Sequence, residues 1–296
     1  MNIGLVYAAL AFTIWGLFPL YFQLISTVPP LEVVLHRSAW SLVFVMCILT
    51  VRGRWQWLLD AWRAPRRLLL FATTALLLST NWLIYVYAVQ SGHVVEASLG
   101  YFINPLVNVV LGVLVLKERM TTVQWLAVLL AACGVAWLTW QGGRLPWIAL
   151  VLAGSFGLYG LLRKTAVLGP LEGLALENML LAPVVLPALA WWTFDRGGAL
   201  AQGPAMQIGW LMLGGPLTAL PLLFFAAGAR RLTLSTLGMV QYLGPTLQLI
   251  IGVWWLHEPF SSQRLIGFVL IWSGLALVSA QALGLRLPFM RLAPPR

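Results

Sequence analysis

A chain of 296 residues that carries ten long apolar stretches has few ways to fold. The stretches lie at about 3–22, 31–51, 68–90, 95–116, 122–140, 147–162, 171–193, 208–229, 233–256 and 264–283. A helix needs about 20 apolar residues to cross the hydrocarbon core of a bilayer, and length and periodicity predict such helices here. The expected fold is all-α, a polytopic membrane protein of ten transmembrane helices. Composition agrees: 61% of the residues are hydrophobic and 9% charged, against about 25% charged in a soluble domain. The connections leave no room for a sizeable extramembrane domain, so any function sits within the bilayer. The first run lacks a basic leader and a small-residue cleavage signal, and reads as a retained span.

The formal net charge of +10 would suggest a nucleic-acid partner in a soluble protein. In this chain the basic residues mark a membrane orientation instead. With the N-terminus in the cytoplasm, Arg52, Arg54, Arg63, Arg66, Arg67, Lys117, Arg119, Arg163, Lys164, Arg230, Arg231, Arg286, Arg291 and Arg296 fall inside. Only Arg144, Arg196 and Arg264 fall outside, and Arg37 lies within the second span. Both termini are therefore expected in the cytoplasm.

The ten runs are two sets of five. The stretch 96–119 returns, changed, at 234–259: Asn104-Pro105 lies over Gly244-Pro245 at an offset of 140, which also pairs Gly112 with Gly252, Glu118 with Glu258 and Gly134 with Gly274. Upstream of the prolines the register slips to 138, and Pro30-Leu31-Glu32 meets Pro170-Leu171-Glu172 at 140. Residues 1–140 and 145–284 are the expected repeats. Because five is odd, the copies cross the membrane in opposite senses, an inverted repeat around a central cavity. That is an architecture of alternating-access transporters, although a duplicated bundle need not transport anything.

Polar residues within the spans are candidates for a solute site. Gly100, Asn104, Asn108 and Gly112 recur every four residues along one helix face, and Gly244, Gln248 and Gly252 echo them. Amides and small residues also serve as contacts between helices, so Asn108 and Gln248 have two readings. Pro105 and Pro245 remove a helical donor and crowd the preceding turn; with Gly112 and Gly252 they are candidate hinges, or packing kinks. Asn81, Trp82 and Tyr85, together with Trp15, Tyr101, Asn104, Tyr159, Gln241 and Tyr242, would form an aromatic cavity with amide tips, suited to a small amphipathic solute. Each aromatic could equally be core or interfacial belt.

Ionisable residues are few. Glu32 and His36 share a face at i,i+4 near the outer end of the second span, with Arg37 beside them, and pairing or snorkelling accounts for them. Glu96, Glu177 and His36 are the candidates for proton coupling; Glu96 could instead favour a helix N-terminus and Glu177 could pair with Arg163 or Lys164. Cys47 and Cys133 have no metal-ligand spacing and read as small buried residues. No cofactor, metal site or nucleic-acid partner is expected. The expected partners are a small-molecule substrate and the lipid bilayer, and the oligomeric state is left open.

Trp15-Gly16 with Pro19 and Tyr21-Phe22, His36-Arg37, Trp40-Ser41, Asn81-Trp82, the run 96–108, the run 234–238, Gln241-Tyr242 and Gly244-Pro245-Thr246 resemble RarD-type permeases, in the EamA branch of the drug/metabolite transporter superfamily. The resemblance runs nearly end to end. It implies ten helices in a bacterial inner membrane, with spans 1, 3, 4, 6, 8 and 9 around a central cavity. It also implies a secondary transporter that exports drugs or metabolites, with chloramphenicol-like compounds and amino acids as leading substrates. A passive facilitator or channel is the alternative. An intramembrane enzyme would need a nucleophile and base, a metal constellation or a carboxylate pair; His-Glu-x-x-His, Gly-x-Ser-x-Gly and Walker A patterns are absent from the sequence.

Overall fold

The computed structural model describes residues 2–53, 55–90, 94–142, 147–255 and 262–282, with backbone alone at 89–90, 94–99, 142, 264 and 282. The described residues form fourteen α-helices: α1 Ile3–Gly16, α2 Phe18–Leu24, α3 Pro30–Arg52, α4 Gln56–Trp62, α5 Pro65–Gln90, α6 Val94–Leu114, α7 Thr122–Gly142, α8 Trp147–Thr165, α9 Pro170–Asp195, α10 Ala199–Gln202, α11 Ala205–Ala229, α12 Leu234–Gln241, α13 Leu243–Ile250 and α14 Ser262–Ala282. A π-helical turn, Ile251–Trp255, extends α13.

Every apolar run coincides with helix. The first is divided at Leu17 into α1 and α2, and the ninth at Tyr242 into α12 and α13. Among the described residues, eight spans are long and apolar enough to cross a membrane, with α1–α2 and α12 through the π-turn each taken as one; the apolar parts of α6 and α14, Gly100–Leu114 and Leu265–Gln281, are shorter. The short helices α4 and α10 fall where the apolar pattern predicts only connections.

Local chemistry sets the boundaries. Pro30, Pro65 and Pro170 each occupy the first position of their helix, where a missing N–H costs nothing. Asn2 caps α1 by accepting from the Gly4 amide at 2.9 Å, and Thr233 caps α12 by accepting from the Thr236 amide at 3.1 Å. Gly53 ends α3 in the left-handed region at φ 62°.

Large apolar side chains stay uncovered around the outside of the bundle, with Leu69 at 69%, Val184 at 71% and Trp140 at 84% exposure. Water would penalise such a surface and lipid does not. Cys47 and Cys133 belong to it: contrary to the sequence reading, both are exposed, because each lies off the stripe its helix buries, formed by Val45 and Leu49 in α3 and by Ala127, Ala131 and Val135 in α7.

Glycines set the close crossings. A Cβ at Gly134 of α7 would lie 2.6 Å from the Gly267 carbonyl oxygen of α14, and one at Gly274 would lie 2.6 Å from the Ala127 carbonyl oxygen. A Cβ at Gly238 of α12 would lie 2.7 Å from the Pro105 carbonyl oxygen of α6. With little hydrophobic drive between helices in lipid, such backbone approaches supply much of the packing. Elsewhere α1 packs on α11 and on α12–α13, α8 on α5 and α6, α3 on α9 and α11, and α5 on α9.

Candidate functional site

A cavity of about 170 Å³ opens midway along the bundle, bounded by α1–α2, α3, α5, α6, α8, α11 and α12–α13. Phe12, Trp15, Phe18, Phe22, Trp82, Tyr85, Tyr101 and Phe156 supply aromatic walls, and Asn81, Asn104, Thr218, Gln241 and Gln248 supply polar tips. A dry engineered cavity of about 150 Å³ holds benzene, so this space suits one aromatic ring with a short polar extension. The sequence reading had placed Trp15, Asn81, Trp82, Tyr85, Tyr101, Asn104 and Gln241 in a site together. All line this cavity, as does Pro245.

The amides divide their work. Asn81 donates to the Leu152 carbonyl at 2.8 Å and to the Ser155 hydroxyl at 3.0 Å, which fixes α5 on α8. Asn108 donates to the Gln241 side-chain oxygen at 2.8 Å and so joins α6 to α12 across the middle of the bundle. Gln248 donates to the Trp15 carbonyl at 3.0 Å, beside the break between α1 and α2. Asn104 is buried, and its side-chain oxygen has no hydrogen-bond partner among the described residues, an orphan that polar solute or water would satisfy.

Sequence reasoning missed Arg37, the one cation in the cavity wall among the described residues. Its Nε donates to the Thr218 hydroxyl oxygen at 2.9 Å, while that hydroxyl donates to the Gly214 carbonyl at 2.7 Å. Thr218 can therefore only accept from Arg37, which fixes the guanidinium plane. The charge lies 5.2, 5.6 and 5.5 Å from the ring centres of Phe18, Phe22 and Trp82. Gly214 makes room for the stem, since a Cβ there would lie 3.1 Å from the Arg37 Cγ. Burying an ion costs several kcal/mol; cation–π contacts return about 0.5–2 kcal/mol each and the hydrogen bond about 1.5–3. No carboxylate pairs with Arg37 among the described residues.

Tyr159, Tyr242, Glu177, His36, Gly112 and Gly252 do not line the cavity. Tyr159 is fully buried and donates to Glu177 at 3.4 Å, while Glu177 lies 3.7 Å from the Arg163 guanidinium. Tyr242 is also buried, with its hydroxyl donating to the Phe102 carbonyl at 3.3 Å. His36 is 3.7 Å from Glu32, whose carboxylate accepts from the Ala199 amide at 2.6 Å and the Trp192 indole at 3.0 Å. Gly112 faces Glu118 and Ser235, and Gly252 is buried in the π-turn. Glu96 is on α6 one turn before Gly100, and its side chain lies outside the described residues.

Toward the N-terminal end of α1 the helices pack closely. A Cβ at Gly4 would lie 2.9 Å from the Arg231 Cβ, and one at Gly228 would lie 3.2 Å from the Ala8 amide nitrogen. Glu118 accepts from the Leu234 amide at 2.6 Å, the Ser235 amide at 3.0 Å and the Ser235 hydroxyl at 2.9 Å. A carboxylate on free amides at a helix start is a strong, charge-assisted cap. Lys164 donates to the Leu232 and Ala229 carbonyls and lies 4.0 Å from Glu118, so α8, α11, α12 and the segment after α6 meet at one point.

Comparison with known proteins gives concordant matches. The EamA-like transporter family model matches residues 2–140 and again 145–280. An uncharacterized transporter of Pseudomonas aeruginosa is 44% identical over 94% of this chain and 94% of its own. The protein RarD of Escherichia coli is 41% identical over 95% of each chain. One solved crystal structure superposes with a TM-score of 0.70 at 18% identity, covering 94% of this chain and 98% of that one, a likeness of fold.

Proposed function

The chain belongs to the EamA-like transporter family and is a multi-pass membrane transporter; from that premise we propose that it is a secondary carrier of small amphipathic solutes, an exporter in the bacterial inner membrane, working by alternating access. The observation that carries this reading is the central cavity, lined by amides and aromatics and shut off at one end of the bundle. A gate at one end with a solute-sized space beyond it is what one state of such a cycle requires.

Ten spans in two inverted five-helix repeats are part of the same proposal. Two features support it: the family model matches twice, and the packing pairs exchange under the swap of halves. The contact of α1 with α11 is answered by α8 with α5, that of α1 with α12–α13 by α8 with α6, and that of α3 with α11 by α9 with α5. In this reading both termini lie in the cytoplasm, and the Glu118–Lys164 junction is the cytoplasmic gate.

Trp15, Asn81, Trp82, Tyr85, Tyr101, Asn104 and Gln241 are proposed to touch solute, and Pro105, Pro245, Gly112 and Gly252 to accommodate bending. Proton coupling is assigned to Glu96, since Glu177 and His36 lie against Arg163 and Glu32. The test is counterflow into proteoliposomes with neutral amino acids, chloramphenicol-like amphiphiles and small aromatic acids, with and without a pH gradient. A carrier gives saturable exchange of one solute class. Flux that never saturates would replace the carrier reading with a passive channel, and loss of the pH response in Glu96→Gln would locate the coupling.

A further inference from the structure

We infer that the solute presents a carboxylate to Arg37, on a body no larger than a single aromatic ring with a short side arm. The inference rests on the carrier reading only in taking the cavity as the solute site.

Arg163, Lys164 and Arg37 are embedded in the described bundle, and their partners differ. Arg163 lies against Glu177, and Lys164 against Glu118. Arg37 has neither; its Nε is spent on Thr218, and its terminal nitrogens make no hydrogen bond among the described residues. A guanidinium with Nε occupied still offers its terminal N–H edge, which matches the two oxygens of a carboxylate. Arg37 keeps part of its surface accessible and lines the cavity.

The surroundings favour one negative charge. Tyr85 and Tyr101 pack edge to face with ring centres 6.1 Å apart, and both line the cavity with Arg37. Neither hydroxyl has a hydrogen-bond partner among the described residues, so each is free to donate to a carboxylate held by the guanidinium. No acidic side chain lines the cavity among the described residues. A neutral solute would leave the cation with aromatic faces and Thr218 alone; a carboxylate would complete it. Phe12, Trp15 and Phe156 lie on the cavity wall to take the apolar body.

A purely structural Arg37 is the competing reading, with the aromatic cage and Thr218 as its whole purpose. The two separate on a matched pair of probes. Calorimetric titration of the full chain in detergent would use 3-phenylpropionate and its neutral amide, 3-phenylpropionamide, nearly the same in shape. The expected result is binding of the acid about tenfold or more tighter than the amide. Arg37→Gln should bring that ratio near one, and Arg37→Lys should fall between, because it keeps the charge and loses the fork. Equal affinity for acid and amide in the wild-type protein overturns the inference whether or not the variants fold, as does a preference that survives in folded Arg37→Gln. Binding of neither probe also overturns it. The carrier reading fails differently: acid-selective binding in detergent with no exchange of 3-phenylpropionate in proteoliposomes removes carriage and leaves the carboxylate site.

Discussion

Two helix pairs in this bundle, each drawn from the two segments that the family model matches, differ in one respect. Where α1–α2 crosses α12–α13, both partners are broken at the crossing, at Leu17 and Tyr242; where α8 crosses α6, both run through unbroken. Pro19 and Pro245 each follow one of the breaks within two or three residues, whereas Pro105 lies inside α6, which stays unbroken. Proline alone therefore does not decide the break. At the broken crossing, Gly16 lies so near that a Cβ would sit 2.7 Å from the Leu247 Cβ, and Gln248 supplies a donor to the Trp15 carbonyl at 3.0 Å. Thr246 is held by the Trp272 indole at 3.0 Å. At the straight crossing α6 is clamped on its other side by α12, through Gly238 on the Pro105 carbonyl and Asn108 on Gln241. A proline makes bending cheap, and neighbours choose which copy bends. In the proposed cycle the opposite state would exchange these roles.

The clamp between α6 and α12 is where the comparison breaks most easily. Gly238→Val places a branched side chain against the Pro105 carbonyl oxygen at 2.7 Å and the Asn108 Cβ at 3.0 Å. Neither can retreat without moving a helix. Overpacking of this kind costs about 1–3 kcal/mol, and thermal unfolding in detergent should fall by about 2–10 °C with loss of exchange. Gly154→Ala and Gly209→Ala, where nothing lies within 4 Å of the added methyl, should leave unfolding unchanged or slightly later. Equal behaviour of all three variants would deny that the crossing is tight.

The closed end comes next in size. Glu118→Gln keeps the shape but weakens three charge-assisted hydrogen bonds and the contact with Lys164. The cost is about 1–3 kcal/mol, all of it borne by the closed state in this reading. In a Cys47→Ser, Cys133→Ser background, a cysteine at Ala8, wholly buried beside Gly228, should react with a polar maleimide about tenfold faster in the Glu118→Gln protein. An unchanged labelling rate would mean that the carboxylate caps a helix and gates nothing.

Much of this was legible in the sequence because the bilayer fixes helix length and hydropathy. Pro30 and Pro170, which the sequence pairs at an offset of 140, each open a helix. Seven of the nine solute-site candidates line one cavity; Tyr159 and Tyr242 turn away because hydropathy does not tell which side of a helix a tyrosine faces when both sides are apolar. Arg37 was passed over for its proximity to Glu32 and His36 along the chain. Helical geometry carried the missing signal: Glu32 and His36 at i,i+4 face one another, while Arg37, one residue on, is turned about 100° away from His36. Pro19 and Pro245 mark the breaks at Leu17 and Tyr242 locally, but that Pro105 breaks nothing depends on neighbours distant along the chain, such as Gly238 on its carbonyl and Gln241 on Asn108.

The smallest change in stability is expected from the prolines themselves, and it bears most directly on the difference between the pairs. Pro245→Ala returns an amide to a segment already broken three residues earlier, at Tyr242, and allows α12 and α13 to join. Joining favours a straight helix by up to about 3 kcal/mol, set against the contacts of Gln248 and Thr246 that hold the bend. Pro105→Ala restores a donor to a helix that is already straight, so it should alter this conformer little and oppose only the bent form of α6 required in the opposite state. Both variants should therefore slow exchange, by about tenfold or less, but through opposite states: reactivity of the Ala8 cysteine should rise in Pro245→Ala and fall in Pro105→Ala. Movement in the same direction would sink the idea that the two crossings trade places, and leave the breaks at Leu17 and Tyr242 as fixed features of one half.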